Sequence, residues 1–503
     1  MKNILFFPFL FSIFPILLLY SENIDEIQIN DVVFPLSATL LSSLGLFFVL
    51  KFSLKNSVKS GLIVTLLFSI FFSYGYIFEI LGDSILFELD LVHQRYILPI
   101  FMILTISGLV LIIKIKKDLE TFRSILNVIS VVMILFISIN IIIFFAAYEN
   151  QNEISQFQIE EKIIQENNFP DIYHIILDEY TNSQVLLEDF DFDNSAFIQY
   201  LKNSNFTVID NALSNYPATE PFLSSSLNLN YLDDSHLEKY NRLAIEERIS
   251  NNFVMKFLKQ NGYKIIVPYS GYGSPDRFLA SDKIICSETI FLKNKFFTEL
   301  SRTTILNYFV EKQIENERRF IQECAFSELS TITDKFEEPV YVFTHLFIPH
   351  APYLFDKDGN YVTPKNNKLK GLLGHNNPDG YLNELQFANK QMKHIVSQII
   401  KKSNNSIIII QGDTGSSILN NPSVEDFKKK RLSILYAIYV PNDYSVPENL
   451  SSVNTYRFIF KNFFDSDYEI LENKYFWYSE FEEISSKTQE RFTDITKIIN
   501  NSK

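Results

Sequence analysis

The stretch "SIIIIQGDTGSS", residues 406–417, carries an acid, Asp413, out of a run of four isoleucines onto a Thr-Gly-Ser-Ser turn. Other stretches have a similar character. "PDIYHIILDEY" (170–180) ends an apolar run in Asp178 and Glu179, and "PVYVFTHLFIPHAPY" (339–353) carries His345 and His350. "SNYPATEPFLSSS" (214–226) sets Thr219 on a proline-initiated turn before a serine-rich helical start. Two chemistries use acids placed in this way. Paired carboxylates that share one proton can run acid–base hydrolysis. Carboxylates joined by imidazole can instead hold a divalent cation.

The first chemistry is that of aspartic proteases, whose local signature is Asp-Thr-Gly-Ser after an apolar strand. A pepsin-like chain needs two such copies, and this chain has one. A retroviral-type half could dimerise, but it needs glycines for a flap and behind the catalytic turn. No glycine follows Gly415. The helical pattern over 380–403, which feeds the isoleucine run, belongs to an α/β layer and not to an all-β half-barrel. The protease reading is therefore set aside.

The elements that would position these residues alternate. Apolar runs at 171–178, 264–268, 339–348, 406–413 and 432–441 read as strands, and amphipathic stretches such as "NNFVMKFLKQNGY" and 380–403 read as helices. Fully apolar strands alternating with helices predict an α/β fold with a mostly parallel sheet covered on both faces. Ligands bind such sheets at the carboxyl ends of strands. Asp178, Glu179, His345, His350 and Asp413 all lie at or just beyond such ends. His174 sits mid-strand among isoleucines and reads as a core residue. His236, His375 and His394 read as loop or helix-surface positions.

Ahead of this domain, apolar runs at 4–20, 33–50, 61–81, 96–113 and 126–147 each approach the ~20 residues that a bilayer core demands. "LLLYSENIDE" offers no small-residue cleavage site, so the first run reads as an uncleaved span. Lys51, Lys55 and Lys59 mark one set of loops, and Lys114, Lys116, Lys117 and Arg123 another; the alternate loops are mainly acidic. Basic loops stay in the cytoplasm. This predicts a multi-pass protein of a bacterial-type inner (plasma) membrane, with its N-terminus cytoplasmic and its C-terminal domain periplasmic or extracellular. Residues 1–148 form the transmembrane region, 149–170 a juxtamembrane linker helix, and 171–503 the outer domain. Glu79, Asp83, Glu88, Asp90 and His93 read as a solvated outer loop.

Of the 503 residues, 47% are hydrophobic, concentrated at the front, and the formal charge is −14. That charge argues against nucleic acid as a partner, because phosphate binding needs a basic face. Cys286 and Cys324 are too few for a metal cluster. They form one disulfide if they lie on the oxidising side of a membrane, and otherwise stand as two unpaired thiols.

Taken in order, "PDIYHIILDEY", the Thr219 turn, "FTHLFIPHAPYLFDKDGN", "IIIIQGD" and the tail "SSVNTYRFIFKNFF" resemble the sulfatase-like branch of the alkaline phosphatase superfamily. That branch includes membrane-anchored phosphoethanolamine transferases and lipoteichoic acid synthases, and the resemblance spans about 170–480. It implies an extracytoplasmic α/β/α sulfatase-like domain behind five membrane helices. The implied activity is metal-dependent transfer or hydrolysis of a phospho- or sulfo-substituent on a membrane lipid or lipid-linked glycan. The cofactor implied is one divalent metal, Mn, Mg or Zn.

By the same resemblance Thr219 is the nucleophile, and Asp178 and Asp413 are metal ligands. Glu179 takes a second acidic position seen in some branches. His350 orients or protonates the transferring group, and Asn454 and Arg457 fit the tail motif. One position departs from the pattern. Where relatives carry Asp-His-Gly, with the histidine on the metal, this chain has Asp413-Thr414-Gly415. A threonine hydroxyl does not replace imidazole. Three outcomes stay open: an altered site with Thr414 as a weak ligand, recruitment of another histidine such as His345, or a catalytically inactive relative that keeps a binding or assembly role.

Overall fold

The computed structural model describes residues 5–24, 27–82, 94–116, 119–149, 169–232, 242–273, 276–362, 377–403, 405–419, 423–441, 444–478 and 492–501. Most of the expected linker helix, the acidic cluster at 83–93, His236 and His375 lie outside these residues. The chain divides into two compact units, Met1–Gln156 with Thr289–Glu317 and Phe157–Glu288 with Arg318–Lys503. The excursion 289–317 thus groups with the first unit, whereas the sequence reading placed it in the outer domain.

The first unit opens with helices α1 (Phe7–Glu22), α2 (Ile29–Leu54), α3 (Ser57–Gly82), α4 (Gln94–Lys114) and α5 (Glu120–Glu149). Four of them are long and apolar enough to cross a membrane. The first, expected over 4–20, is a 16-residue helix with Pro15 inside it. Many of their apolar side chains face outward, such as Phe52, Ile103, Leu111, Val128 and Phe136. Helices with apolar residues all round belong in a bilayer and not in water.

The second unit begins with β1 (Asp171–Leu177), α6 (Ser183–Phe190), α7 (Ser195–Asn203), β2 (Thr207–Val208) and α8 (Thr219–Ser226). It continues with α9 (Arg242–Ser250), α10 (Phe253–Gln260), β3 (Lys264–Pro268) and β4 (Lys283–Ile285). Helix α11 (Lys295–Arg302) lies in the excursion, and α12 (Asn307–Leu329) leads back out of it. Then come β5 (Val340–Leu346), α13 (Pro378–Lys402), β6 (Ser406–Gly412), α14 (Val424–Leu432) and β7 (Tyr436–Tyr439). Helix α15 (Thr455–Phe463), a small hairpin, Phe476–Tyr478 with Phe492–Asp494, and a short helix, Thr496–Asn501, follow.

Seven strands form one sheet in the order β2-β7-β6-β1-β5-β3-β4. All neighbours are parallel except that β7 runs against both β6 and β2. The mostly parallel sheet read from the apolar runs is therefore present, with its antiparallel strand one position in from an edge. Ile407, Ile408, Ile409 and Ile410 of β6 are fully buried. They divide by alternation: Ile407 and Ile409 join the core on one face, Ile408 and Ile410 the core on the other. At on the order of 2 kcal/mol for each buried isoleucine, this run alone anchors the sheet centre.

His174, in the middle of β1, has both ring nitrogens engaged. Nδ1 lies 2.7 Å from Tyr456 Oη, and Nε2 lies 2.7 Å from Gln411 Nε2. Gln411 donates there, so Nδ1 carries the proton and donates to Tyr456. Burial pushes its pKa down to about 3. This is a core histidine, neutral at physiological pH.

Glu384 on α13 is buried and accepts from the amides of Leu354 and Phe355, the second at 3.1 Å, while Oε2 finds no partner among the described residues. Burial pushes its carboxyl well above its ordinary value of 4.5, against the pull of those two amides. The native state therefore binds a proton that the unfolded chain has released. Glu384's contribution to stability is full below about pH 4.5 and is lost as pH rises through the raised value. Glu384→Gln keeps the accepting oxygen and removes the ionisation. We expect the variant to melt at a higher temperature than the parent at pH 8, with the gap closing towards pH 5. Parallel melting curves across that range would count against the assignment.

Candidate metal and nucleophile site

The register of the central strands assembles the site. Leu177, the last residue of β1, pairs with Leu346 of β5 on one side and Gly412 of β6 on the other. Asp178 and Asp413 therefore leave the sheet at the same level, one residue beyond adjacent strand ends. His345 sits one residue before Leu346. One ligand atom from each of Asp178, His345 and Asp413 can be chosen so that all lie within 4.8 Å of one another. His345 Nε2 is 3.8 Å from Asp178 Oδ2 and 3.8 Å from Asp413 Oδ2, too long for hydrogen bonds. All three residues are at most 2% exposed.

Thr219 is the first residue of α8, and its Oγ1 donates to Asp413 Oδ2 at 2.5 Å. A helix N-terminus offers free amides and a positive dipole end, the setting in which an anionic group is bound. Asp413 is also held from its other oxygen. Oδ1 accepts from the amides of Thr414 at 2.7 Å and Glu179 at 3.2 Å. A Cβ at Gly412 would lie 2.4 Å from Tyr180 O, so the residue before Asp413 must be glycine for the two strand ends to meet this closely.

The residues fit a divalent cation. Asp178 Oδ2 and both ring nitrogens of His345 are buried and have no hydrogen-bond partner among the described residues. Buried polar atoms are seldom left so unless something else satisfies them. Charge points the same way. Burial, reinforced by Asp413, pushes the Asp178 carboxyl well above the usual carboxylate range. Burial acts likewise on Asp413, but His345 and the hydrogen bond from Thr219 hold it below that range. Burial would lower the His345 imidazole, yet the aspartates around it raise it. Without a cation, the cluster thus keeps protons to balance its acids.

Glu179 behaves differently from the other acids. Its carboxylate accepts from Arg431 Nη1 at 2.6 Å and from Ser417 Oγ at 3.2 Å, and it is not among the three converging residues. Burial would raise it, but the Arg431 guanidinium, helped by His350, holds it below the usual range. Arg431 cancels the charge of Glu179, which leaves the two charges of Asp178 and Asp413 for a doubly charged ion. Glu179 adopts a left-handed backbone, φ 61°, a conformation that costs energy in a non-glycine residue and clusters at functional sites.

Helix α13 props this turn from behind. Tyr381 Oη donates to Glu179 O at 2.8 Å, and Tyr180 Oη donates to Asn389 Oδ1 at 2.5 Å. Neither Arg431 nor Tyr381 was singled out from the sequence. Arg431 ends the run "KKKR", which reads as a solvated helix face, and nothing local distinguishes it from the lysines.

His350 is half-buried. It sits between cis Ile348–Pro349 and cis Ala351–Pro352, with its ring 4.3 Å from that of Phe347 and Nδ1 2.5 Å from Ala351 O. It is not one of the three converging residues. Thr414 is buried, its Oγ1 unpartnered among the described residues. Asn454 and Arg457 have structural partners. Asn454 clamps the segment around Leu471 and Asn473, and Arg457 donates to Leu229 O at 2.6 Å and Glu469 O at 2.9 Å. His394 is exposed on α13. Cys286 and Cys324 are joined as a disulfide.

No protein-family model matches this chain, and no curated protein does. Solved structures do. The C-terminal periplasmic domain of EcEptC from Escherichia coli matches at 14% identity and a TM-score of 0.39, over 67% of this chain and 95% of that one. The integral membrane lipooligosaccharide phosphoethanolamine transferase A from Neisseria meningitidis matches at 11% identity and 0.39, over 74% of this chain and 73% of that one. Ps i-CgsB in complex with a neocarrahexaose matches at 13% identity and 0.39, over 62% and 80%.

Proposed function

We propose that the α/β unit is a metal-dependent transferase or hydrolase that acts on a phospho- or sulfo-ester substituent of a membrane lipid or lipid-linked glycan, with Thr219 as nucleophile. The observation that carries this reading is the convergence of Asp178, His345 and Asp413 at adjacent strand ends, with Thr219 Oγ1 2.5 Å from Asp413. Asp178, His345 and Asp413 would hold the ion, with the Thr219 oxygen beside them. A mixed set of carboxylates and one imidazole suits Zn²⁺ or Mn²⁺. When bound, the ion lowers the pKa of the threonine hydroxyl and offsets charge on the transferring group.

The chain's own residues supply the rest. Asp413 Oδ2 accepts the Thr219 hydroxyl proton as Oγ1 forms a bond to phosphorus or sulfur. The ester bond to the donor breaks, and the departing oxygen keeps the electron pair and gains a proton. His350, whose charge acts on Glu179, would give that proton, the role that the family resemblance assigns to it. An acceptor hydroxyl, or water, then attacks the Thr219 ester and gives its proton to His350, while Thr219 leaves and recovers its proton from Asp413. The dipole of α8 stabilises the anionic group throughout.

The basic loops around Lys51–Lys59 and Lys114–Arg123 support an orientation in which this unit would lie outside the cytoplasm, beside a lipid donor and acceptor. The rival reading, an inactive binding or assembly protein, draws on Thr414. One experiment separates the two. Intact-mass analysis of the purified full-length chain should show a fraction carrying one phospho- or sulfo-type adduct mapped to Thr219, absent from Thr219→Ala. If neither the adduct nor turnover of p-nitrophenyl phosphate and p-nitrophenyl sulfate is seen with Zn²⁺, Mn²⁺ or Mg²⁺, the enzyme reading fails and the binding role stands.

A further inference from the structure

The excursion 289–317 interrupts the α/β unit. The chain leaves that unit after Glu288 and re-enters it at Arg318, and the Cys286–Cys324 disulfide closes the neck. At its base the buried Glu317 carboxylate accepts from the amides of Ile290, Phe291 and Leu292, each at 3.0 Å.

Its body is built into the membrane helices. Phe296 and Leu300 of α11 are buried in one cluster with Ile16, Leu19, Tyr20 and Phe72. Ile305 packs against Tyr74, Ile97 and Phe101 of α3 and α4. The backbones also join: Gly75 N donates to Thr303 O at 2.8 Å, and Ile305 N donates to Phe71 O at 3.2 Å. A Cβ at position 75 would fall 2.0 Å from Arg302 O, so only glycine lets the two backbones approach in this way. Non-helical backbone at membrane depth is tolerated only where its polar groups find protein partners, and the carbonyl of Thr303 and the amide of Ile305 do.

Three of the charges inside the excursion form one cluster. Arg302 reaches Glu299 and Glu311, each at 2.6 Å. Three large apolar side chains face outward, alongside the exposed Lys293, Lys312, Gln313 and Asn316. Ile290 is 70% exposed, Leu306 47% and Phe309 71%. Scattered exposed apolar residues need no explanation on a soluble protein. These are different, because Leu306 directly follows Ile305, which is packed against α4, and α4 itself turns Ile100 and Leu104 outward. The exposed Leu306 thus adjoins a residue packed on a membrane helix. Gly75 lies about 10 Å from the end of α3, at the 1.5 Å rise per residue of a helix. It lies within the apolar span Ser57–Phe78.

We propose that residues 289–317 are a membrane-embedded excursion from the α/β unit's chain, with Ile290, Leu306 and Phe309 in contact with lipid acyl chains. This stands independently of the catalytic reading. The test uses the full chain with its single tryptophan removed, Trp477→Phe, in phosphatidylcholine vesicles with plain or brominated acyl chains. Phe309→Trp and Ile290→Trp report on the excursion. Leu187→Trp, 58% exposed on α6, serves as a water-facing control. Trp at 309 and 290 should emit to the blue of the control, lose most of its emission to brominated chains and resist iodide, whereas the control should be quenched by iodide alone. Quenching of the two excursion reporters by iodide and not by brominated chains would place this face in water and overturn the proposal. Resistance to both quenchers would place it against protein and overturn it equally.

Discussion

Thr219→Ala should reduce turnover by at least roughly 10³-fold, the scale of loss when a nucleophile that acts as one unit with its partners is removed. It should do so while leaving the fold intact. Thr219 begins α8, but the helix entry does not depend on its side chain. The N-cap is Ala218, which makes no side-chain capping bond, and the Thr219 hydroxyl is committed to Asp413 Oδ2. Removing it costs one hydrogen bond to a charged group, about 1.5–3 kcal/mol at most. Metal should still bind through Asp178, His345 and Asp413, though more weakly. The separation is therefore diagnostic: lost turnover, lost covalent adduct, retained metal and a melting temperature within a few degrees of the parent. If Thr219→Ala kept its turnover, Thr219 would be a ligand or turn residue and the nucleophile would have to be sought elsewhere.

His345→Ala should have the largest effect on metal. It removes the one imidazole in the cluster and leaves Asp178 and Asp413 facing each other in a buried site. Outer-shell partners of a metal ligand already cost about 10–100-fold in affinity when mutated, so loss of a ligand should exceed about 100-fold. Titration calorimetry with Zn²⁺ and Mn²⁺ reads this without any substrate. Thermal melting gives a second measure, because an ion present at 100 times its dissociation constant stabilises the native state by about 2.7 kcal/mol. Chelation should therefore lower the melting temperature of the parent and leave His345→Ala nearly unmoved.

The companion variant, Thr414→His, tests which residue fills the vacant role. If His345 supplies the imidazole, Thr414→His should raise affinity little in the parent and restore part of it in His345→Ala. Restoration far above the parent level would instead mean that His345 is not a ligand and that the natural site is deficient.

Much of the sheet was legible. Apolar runs of five to ten residues, separated by amphipathic stretches, admit few arrangements other than a covered parallel sheet. β1, β3, β5, β6 and β7 each fall within the runs that predicted them. The short β2 matches none of those runs, because a two-residue edge strand leaves almost no pattern in sequence. The membrane helices were legible for the same reason, since length and apolar composition are the whole requirement.

Within the site, Asp178 and Asp413 were marked by local context: each is an acid one residue beyond an apolar strand, where solvent begins and ligands bind. His345 was the less certain of the two histidines in its stretch. Sequence spacing cannot say which of two residues five apart turns toward a neighbouring strand. That depends on the pairing of Ile176 with His345 and of Leu177 with Leu346.

By itself, then, the sequence determined the membrane region, the class of fold and the two carboxylates at strand ends, because each follows from a local pattern of polarity. The tertiary structure decided the rest. It brought His345 to the two aspartates, paired Glu179 with Arg431 so that its charge is cancelled, and sent residues 289–317 into the membrane helices. Each of these joins residues from tens to hundreds of positions apart, and what decides such contacts is register and packing, which no local stretch of sequence contains.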